Sequence, residues 1–139
     1  MPRFRFRLQK LLELRRIEEA EAKDAYLQAK SARLDAEVEA EKIAKRRTEI
    51  SEQKRTSLDE MIAAQAYIHR LEDEEGHMRS ALGVLIDEEE GAKNNWVLRK
   101  QEAEAFEKLK EKEYEEWQKE EARKEQADLD EWAVQRRAS

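Results

Sequence analysis

From Met61 to Phe106, side chains of one kind return at alternating steps of three and four: Met61, Ala64, Ile68, Leu71, Glu75, Met78, Leu82, Leu85, Glu89, Ala92, Trp96, Arg99, Ala103 and Phe106. Eleven of these fourteen positions are apolar, which is the period of a coiled-coil seam and predicts a long helix packed along one face. Glu75, Glu89 and Arg99 break the seam; either they meet Lys or Arg on a facing helix, or they mark loosened packing. Upstream the pattern is rougher. Phe4, Leu8, Leu11, Leu12, Ile17, Ala20, Leu27, Leu34, Val38, Ile43 and Ile50 form a stripe that drifts around a first helix, with alanines permitting close approach.

Between the two patterns lies the polar stretch Gln53 to Glu60, in which Ser57 and Glu60 form S-x-x-E just ahead of Met61 and Ile62. That spacing predicts a capping box, with Ser57 as N-cap and Glu60 reaching back to its N–H. The expected fold is all-α. Two long helices form an antiparallel coiled-coil hairpin, a single domain over residues 1–139 with a first helix at about 3–54, a turn at about 55–57 and a second helix at about 58–136. A single uninterrupted helix would be about 200 Å long and would leave its apolar stripe exposed, so the chain folds back or finds a partner. Pairing outward from the turn leaves about the last 25 residues of the longer helix overhanging. Trp117, Leu129, Trp132 and Val134 fall there, and they are covered either by the chain's own ends or by a partner.

Composition supports helix throughout. There is no proline after Pro2 and no cysteine, and 45% of the residues are charged. Proline is the strongest helix breaker, and Pro2 sits near a start, where its missing N–H is harmless. Gly76, Gly83 and Gly91 fall inside the second helix, each costing roughly 0.5–1 kcal/mol relative to alanine. An uninterrupted helix is expected across them, and Gly91 with Asn94 and Asn95 is where a kink or a boundary would fall. The formal charge is −6, yet the first sixteen residues carry Arg3, Arg5, Arg7, Lys10, Arg15 and Arg16 against Glu13 alone. No basic face continues after residue 16, which argues against nucleic acid as a partner. The longest apolar run, Ala81 to Ile86, is far shorter than the roughly 20 residues that span a bilayer. The N-terminus lacks the uninterrupted apolar core of a signal peptide, so a cytoplasmic protein is expected.

Catalytic constellations are missing from the sequence. His69 and His77 are eight apart, outside the i, i+4 spacing of a helical zinc pair, and no cysteine completes a site. There is no glycine-rich phosphate loop and no G-x-S-x-G elbow, and the glutamate pairs lack an apolar pocket to separate their pKa values. A binding or mechanical component is expected, with no cofactor and no metal.

The run Phe4 to Arg15 (FRFRLQKLLELR) resembles the opening of the flagellar export protein FliJ family, which includes stalk proteins of type III secretion injectisomes. Ile62–Leu71 (IAAQAYIHRL), Asn95–Lys112 (NWVLRKQEAEAFEKLKEK) and Glu125–Arg136 (EQADLDEWAVQR) agree in order. The resemblance implies a non-enzymatic coiled-coil stalk lodged in a hexameric export ATPase, in contact with the membrane protein of the export gate and, in some members, with export chaperones. Such a protein is cytoplasmic, peripheral to the inner membrane, and a monomer by itself. On this reading the ATPase-binding residues are Arg3, Arg5, Arg7, Leu8, Lys10, Leu11, Leu12, Arg15 and Trp132. The gate-binding residues are Tyr67 and Leu71, of which the heptad places Leu71 in the seam and leaves Tyr67 free. Other classes that fit the residues are a generic coiled-coil scaffold, whose seam is supplied by two chains, and a general chaperone for export substrates.

Overall fold

The computed structural model describes residues 2–138. It contains two helices, α1 (Gln9–Glu52, 44 residues) and α2 (Leu58–Ala138, 81 residues), packed antiparallel as a coiled-coil hairpin. The chain divides into two compact units, Met1–Ala20 with Val97–Ser139, and Glu21–Trp96.

α2 keeps the seam read from its sequence. Every heptad position from Ala64 to Phe106 is buried or half-buried, Met61 alone remaining exposed beside the turn. The helix passes through Gly76, Gly83 and Gly91 without a break, and a Cβ at any of them would meet nothing within 4 Å. α1 has a seam just as regular, which shares Leu8, Leu12, Ile43 and Ile50 with the apolar stripe and departs from it in between. Its covered positions include Leu8, Leu12, Arg15, Glu19, Ala22, Tyr26, Ala29, Arg33, Ala36, Ala40, Ile43, Arg47 and Ile50, in strict alternation of four and three. Leu11, Ile17, Leu27, Leu34 and Val38, placed in the stripe on hydrophobicity, are 41–56% exposed. The seam of α1 uses alanine where the helices come close, and arginine where the facing position is acidic.

In the unit Glu21–Trp96 three cross-helix pairs fix that register. Arg47 pairs with Glu75, Arg33 with Glu89, and Tyr26 stacks on Trp96 at 5.6 Å and 14°. These positions are separated by fourteen and then seven residues on both helices, so each heptad step along one helix is matched by one along the other. Glu75 and Glu89 thus meet arginine across the seam. Hydrogen bonds to Glu89 and Glu37 hold the Arg33 guanidinium above the usual arginine value, and a hydrogen bond to Glu75 does the same for Arg47.

The unit Met1–Ala20 with Val97–Ser139 holds the third seam-breaking residue differently. Arg99 meets glutamates, forming a closed ring with Glu18, Arg15 and Glu102. Arg15 lies 3.0 Å from Glu18 and 3.9 Å from Glu102, and Arg99 lies 3.7 and 3.3 Å from the same two carboxylates. Leu12, fully buried, and Ala103, 2% exposed, belong to this unit.

Both helix ends at the connection are chemically closed. Ser57 Oγ accepts from the Glu60 N–H at 3.1 Å, as the capping box requires. The Glu60 carboxylate reaches one residue further back than that motif specifies and accepts from the Thr56 N–H at 3.1 Å. The Arg55 guanidinium donates to the Ile50 carbonyl, placing a cation at the carboxyl end of α1.

The first helix starts at Gln9 and not near residue 3. Residues 2–6 carry no regular structure, and a turn at 7–8 leads in, with Gln9 N–H donating to the Phe6 carbonyl at 3.1 Å. A helix would place Phe4 and Phe6 on nearly opposite faces, whereas extended backbone places them on one. Phe6 is 7% exposed, and Phe4 packs edge-on against Tyr114 at 5.2 Å and against Trp117 at 5.8 Å. Burying both rings outweighs one more turn of exposed helix.

Candidate functional site

Extending residues 3–7 sorts their chemistry by side. Phe4 and Phe6 are covered, while Arg3, Arg5 and Arg7 are exposed. None of these three arginines, nor Lys10, has a carboxylate partner among the described residues. Arg15, grouped with them on sequence, is instead tied into the four-charge ring, with its guanidinium 5.9 Å above the Phe106 ring. Arg16 pairs with Glu107 at 3.1 Å. The free basic set is therefore Arg3, Arg5, Arg7 and Lys10.

The apolar candidates of the same unit divide likewise. Leu12 is fully buried and Leu8 half-buried, so both hold the hairpin, whereas Leu11 is 41% exposed. Trp132 does not join them. It is more than half exposed, with the Arg136 guanidinium over its ring at 5.0 Å; Leu129, one turn before it, is equally uncovered, and so is Val134 on nearly the opposite face of the helix. Trp117, by contrast, is covered by Phe4, so the chain's own N-terminus explains the first large residue of the expected overhang and leaves the later ones open.

In the other unit, Leu71 is 4% exposed and lies in the seam. Tyr67, one position ahead of the seam residue Ile68, is half-buried and reaches the outer groove. Its hydroxyl accepts from Arg46 Nε at 2.6 Å, and the guanidiniums of Arg46 and Arg70 each lie 5.7 Å from its ring centre. Arg46 and Arg70 were invisible as a site in the sequence because they come from different helices. The period-two alternation of Arg and Phe over residues 3–7 was the available sign of the extended N-terminus.

No group of three or more His, Cys, Asp or Glu among the described residues could hold a metal. His69 is occupied by Gln65 at 3.2 Å and Glu72 at 3.6 Å, both on its own helix.

The profile of the family described as flagellar FliJ protein matches residues 4–139. The chain belongs to the FliJ family. No curated protein and no solved structure matches it. As a FliJ-family member it is a non-enzymatic structural or adaptor protein with a coiled-coil role in flagellar export. Among the described residues no helix is long and apolar enough to cross a membrane.

Proposed function

We propose that this FliJ-family chain is the central stalk of the export apparatus, inserted into a hexameric export ATPase on the cytoplasmic side and linked to the membrane protein of the export gate. The observation that carries the reading is the surface of the unit holding both chain ends. Four cations without a carboxylate partner among the described residues, Arg3, Arg5, Arg7 and Lys10, and the uncovered apolar side chains Leu129 and Trp132, one helical turn apart on α2, belong to a unit already packed by Phe4, Phe6 and Leu12. Cations near a helix N-terminus are disfavoured by the helix dipole and gain from an external anion, which acidic loops of an ATPase pore would supply.

The mechanism follows from symmetry. A hexameric ring has six equivalent pore faces, and a two-helix hairpin presents different side chains in each direction. Its insertion favours different conformational states in different subunits, by the difference in binding free energy between those states. Turnover is thereby ordered and stimulated. At the gate the contact is made by Tyr67, since Leu71 is held in the seam and acts by positioning the Tyr67 face.

The test is an ATPase assay on the purified hexamer with and without the chain, paired with co-migration on a sizing column. Stimulated turnover and co-migration are expected; unchanged turnover without co-migration refutes the stalk. The seam is filled within one chain, which disfavours a scaffold whose seam needs two. Light scattering should accordingly return the 16.5 kDa mass of a monomer.

A further inference from the structure

We infer that the groove around Tyr67 is a receptor for an acidic-hydrophobic peptide segment of a partner protein, with Arg46 and Arg70 as the carboxylate-binding pair. This rests on the reading of the Tyr67 face as a partner-binding face and adds the chemistry of what it takes.

The groove is lined by four cations, Lys42, Lys45, Arg46 and Arg70, against two carboxylates, Glu49 and Glu74. That excess is positive in a chain whose net charge is −6. The cations are only lightly used internally. Lys42 contacts Glu39 at 3.3 Å and Arg70 reaches Glu74 at only 4.0 Å, while Lys45 and Arg46 have no carboxylate partner among the described residues.

Tyr67 organises them. Its ring carries a guanidinium at 5.7 Å from each of the two helices, and its hydroxyl takes the Nε–H of Arg46. The terminal nitrogens of Arg46 have no acceptor among the described residues, so the fork is held in place with donors to spare. A guanidinium whose plane is fixed loses less entropy on donating two hydrogen bonds to a carboxylate. Tyrosine flanked by arginine is also the composition of binding hot spots.

The floor supplies the apolar half. Ile43 lines this groove and the adjoining one, where Met78 and Ala81 continue the surface along α2. An occupant with carboxylates over Arg46 and Arg70 therefore has an apolar path for neighbouring side chains. Glu49 and Glu74, exposed and also lining the groove, would be pressed against the headgroups of an anionic bilayer or the phosphates of a nucleic acid, which disfavours both.

The test is fluorescence anisotropy of the full chain with a labelled Glu-Glu-Leu repeat peptide, a Gln-Gln-Leu repeat as control, and phosphatidylserine vesicles as competitor. The glutamate peptide should bind at least about tenfold more tightly than the glutamine peptide, and Arg46→Gln/Arg70→Gln should lose about that factor with an unchanged helical melt. Tyr67→Phe, which keeps the ring and frees Arg46, should weaken binding by less. Equal binding of both peptides, indifference to the arginine substitutions, or tighter binding to the vesicles than to the glutamate peptide overturns the inference. The cytoplasmic domain of the gate protein is titrated in parallel. If it binds the chain while the glutamate peptide does not, the inference falls and the gate reading stands; arginine-dependent peptide binding without gate binding has the opposite meaning.

Discussion

Leu11 and Leu12 are adjacent, chemically identical, and assigned opposite roles by the packing. Leu12 is 0% exposed and Leu11 is 41% exposed. Truncating Leu12 to alanine removes three buried carbons, roughly 2.4 kcal/mol of transfer free energy at about 0.8 per methylene, before any cavity is counted. Neighbours in a two-helix seam relax more freely than in a globular core, so the cavity term is small and the total is about 3 kcal/mol, the low end for buried leucines. Leu11→Ala loses partial burial only, about 1 kcal/mol. The difference of about 2 kcal/mol corresponds to roughly thirtyfold in the opening equilibrium of the surrounding amides. Hydrogen exchange followed over residues 9–19, with a helical melt monitored at 222 nm, measures it. Equal protection in the two variants would refute the register assigned to α1. The functional effects should invert: Leu11→Ala weakens association with the export ATPase while leaving the melt almost unchanged.

Three further outcomes are expected. Arg33→Glu faces Glu89 and Glu37 with a like charge and should lower the melting temperature; adding Glu89→Arg should restore most of it, the residue of the deficit coming from Glu37. Because the Arg33 value is raised, the stabilisation is fully present below the ordinary arginine value and is lost only as pH rises through the raised one, so the deficit should stay constant between about pH 7 and 9. Arg5→Glu with Arg7→Glu should leave the melt unchanged and weaken ATPase association and its salt dependence, whereas Arg15→Glu should destabilise the hairpin by breaking the four-charge ring, as read by circular dichroism and sizing-column binding. Gly83→Ala meets no neighbour and sits inside α2, so it should stabilise by about 0.5–1 kcal/mol in a urea titration; a loss of stability would mean the glycine is needed for close approach.

The two helices were not equally legible. α2 announces its seam because Ile68, Leu71, Met78, Leu82, Leu85 and Phe106 are large and apolar, and size is what periodicity detects. α1 hides an equally regular seam because Ala22, Ala29, Ala36 and Ala40 carry little hydrophobic signal and Arg33 and Arg47 carry the opposite one. Hydrophobicity therefore selected Leu27, Leu34 and Val38, which face away from the partner helix. The candidate site suffered from a related limit. Arg15 is indistinguishable from Arg5 in sequence, and only the positions of Glu18 and Glu102 show that one cation is used and the other free. Similarly, Tyr67 was selected by its place beside the seam, but its arginine bracket needs both helices at once.

The polar layers explain why so regular a hairpin keeps arginine where leucine would pack. An alanine-rich stripe against a leucine-rich one is tolerant of a slip by a whole heptad, because small side chains interlock weakly and every heptad resembles the next. A slip in the unit Glu21–Trp96 would separate Arg33 from Glu89 and Arg47 from Glu75 together, leaving partly covered charges unpaired at two layers, and would unstack Tyr26 from Trp96. One register thus satisfies all three pairs. For the proposed stalk, which would act by presenting a fixed asymmetric surface, that specification matters more than stability, since a slipped hairpin would still be helical but would displace the faces of its two helices relative to each other.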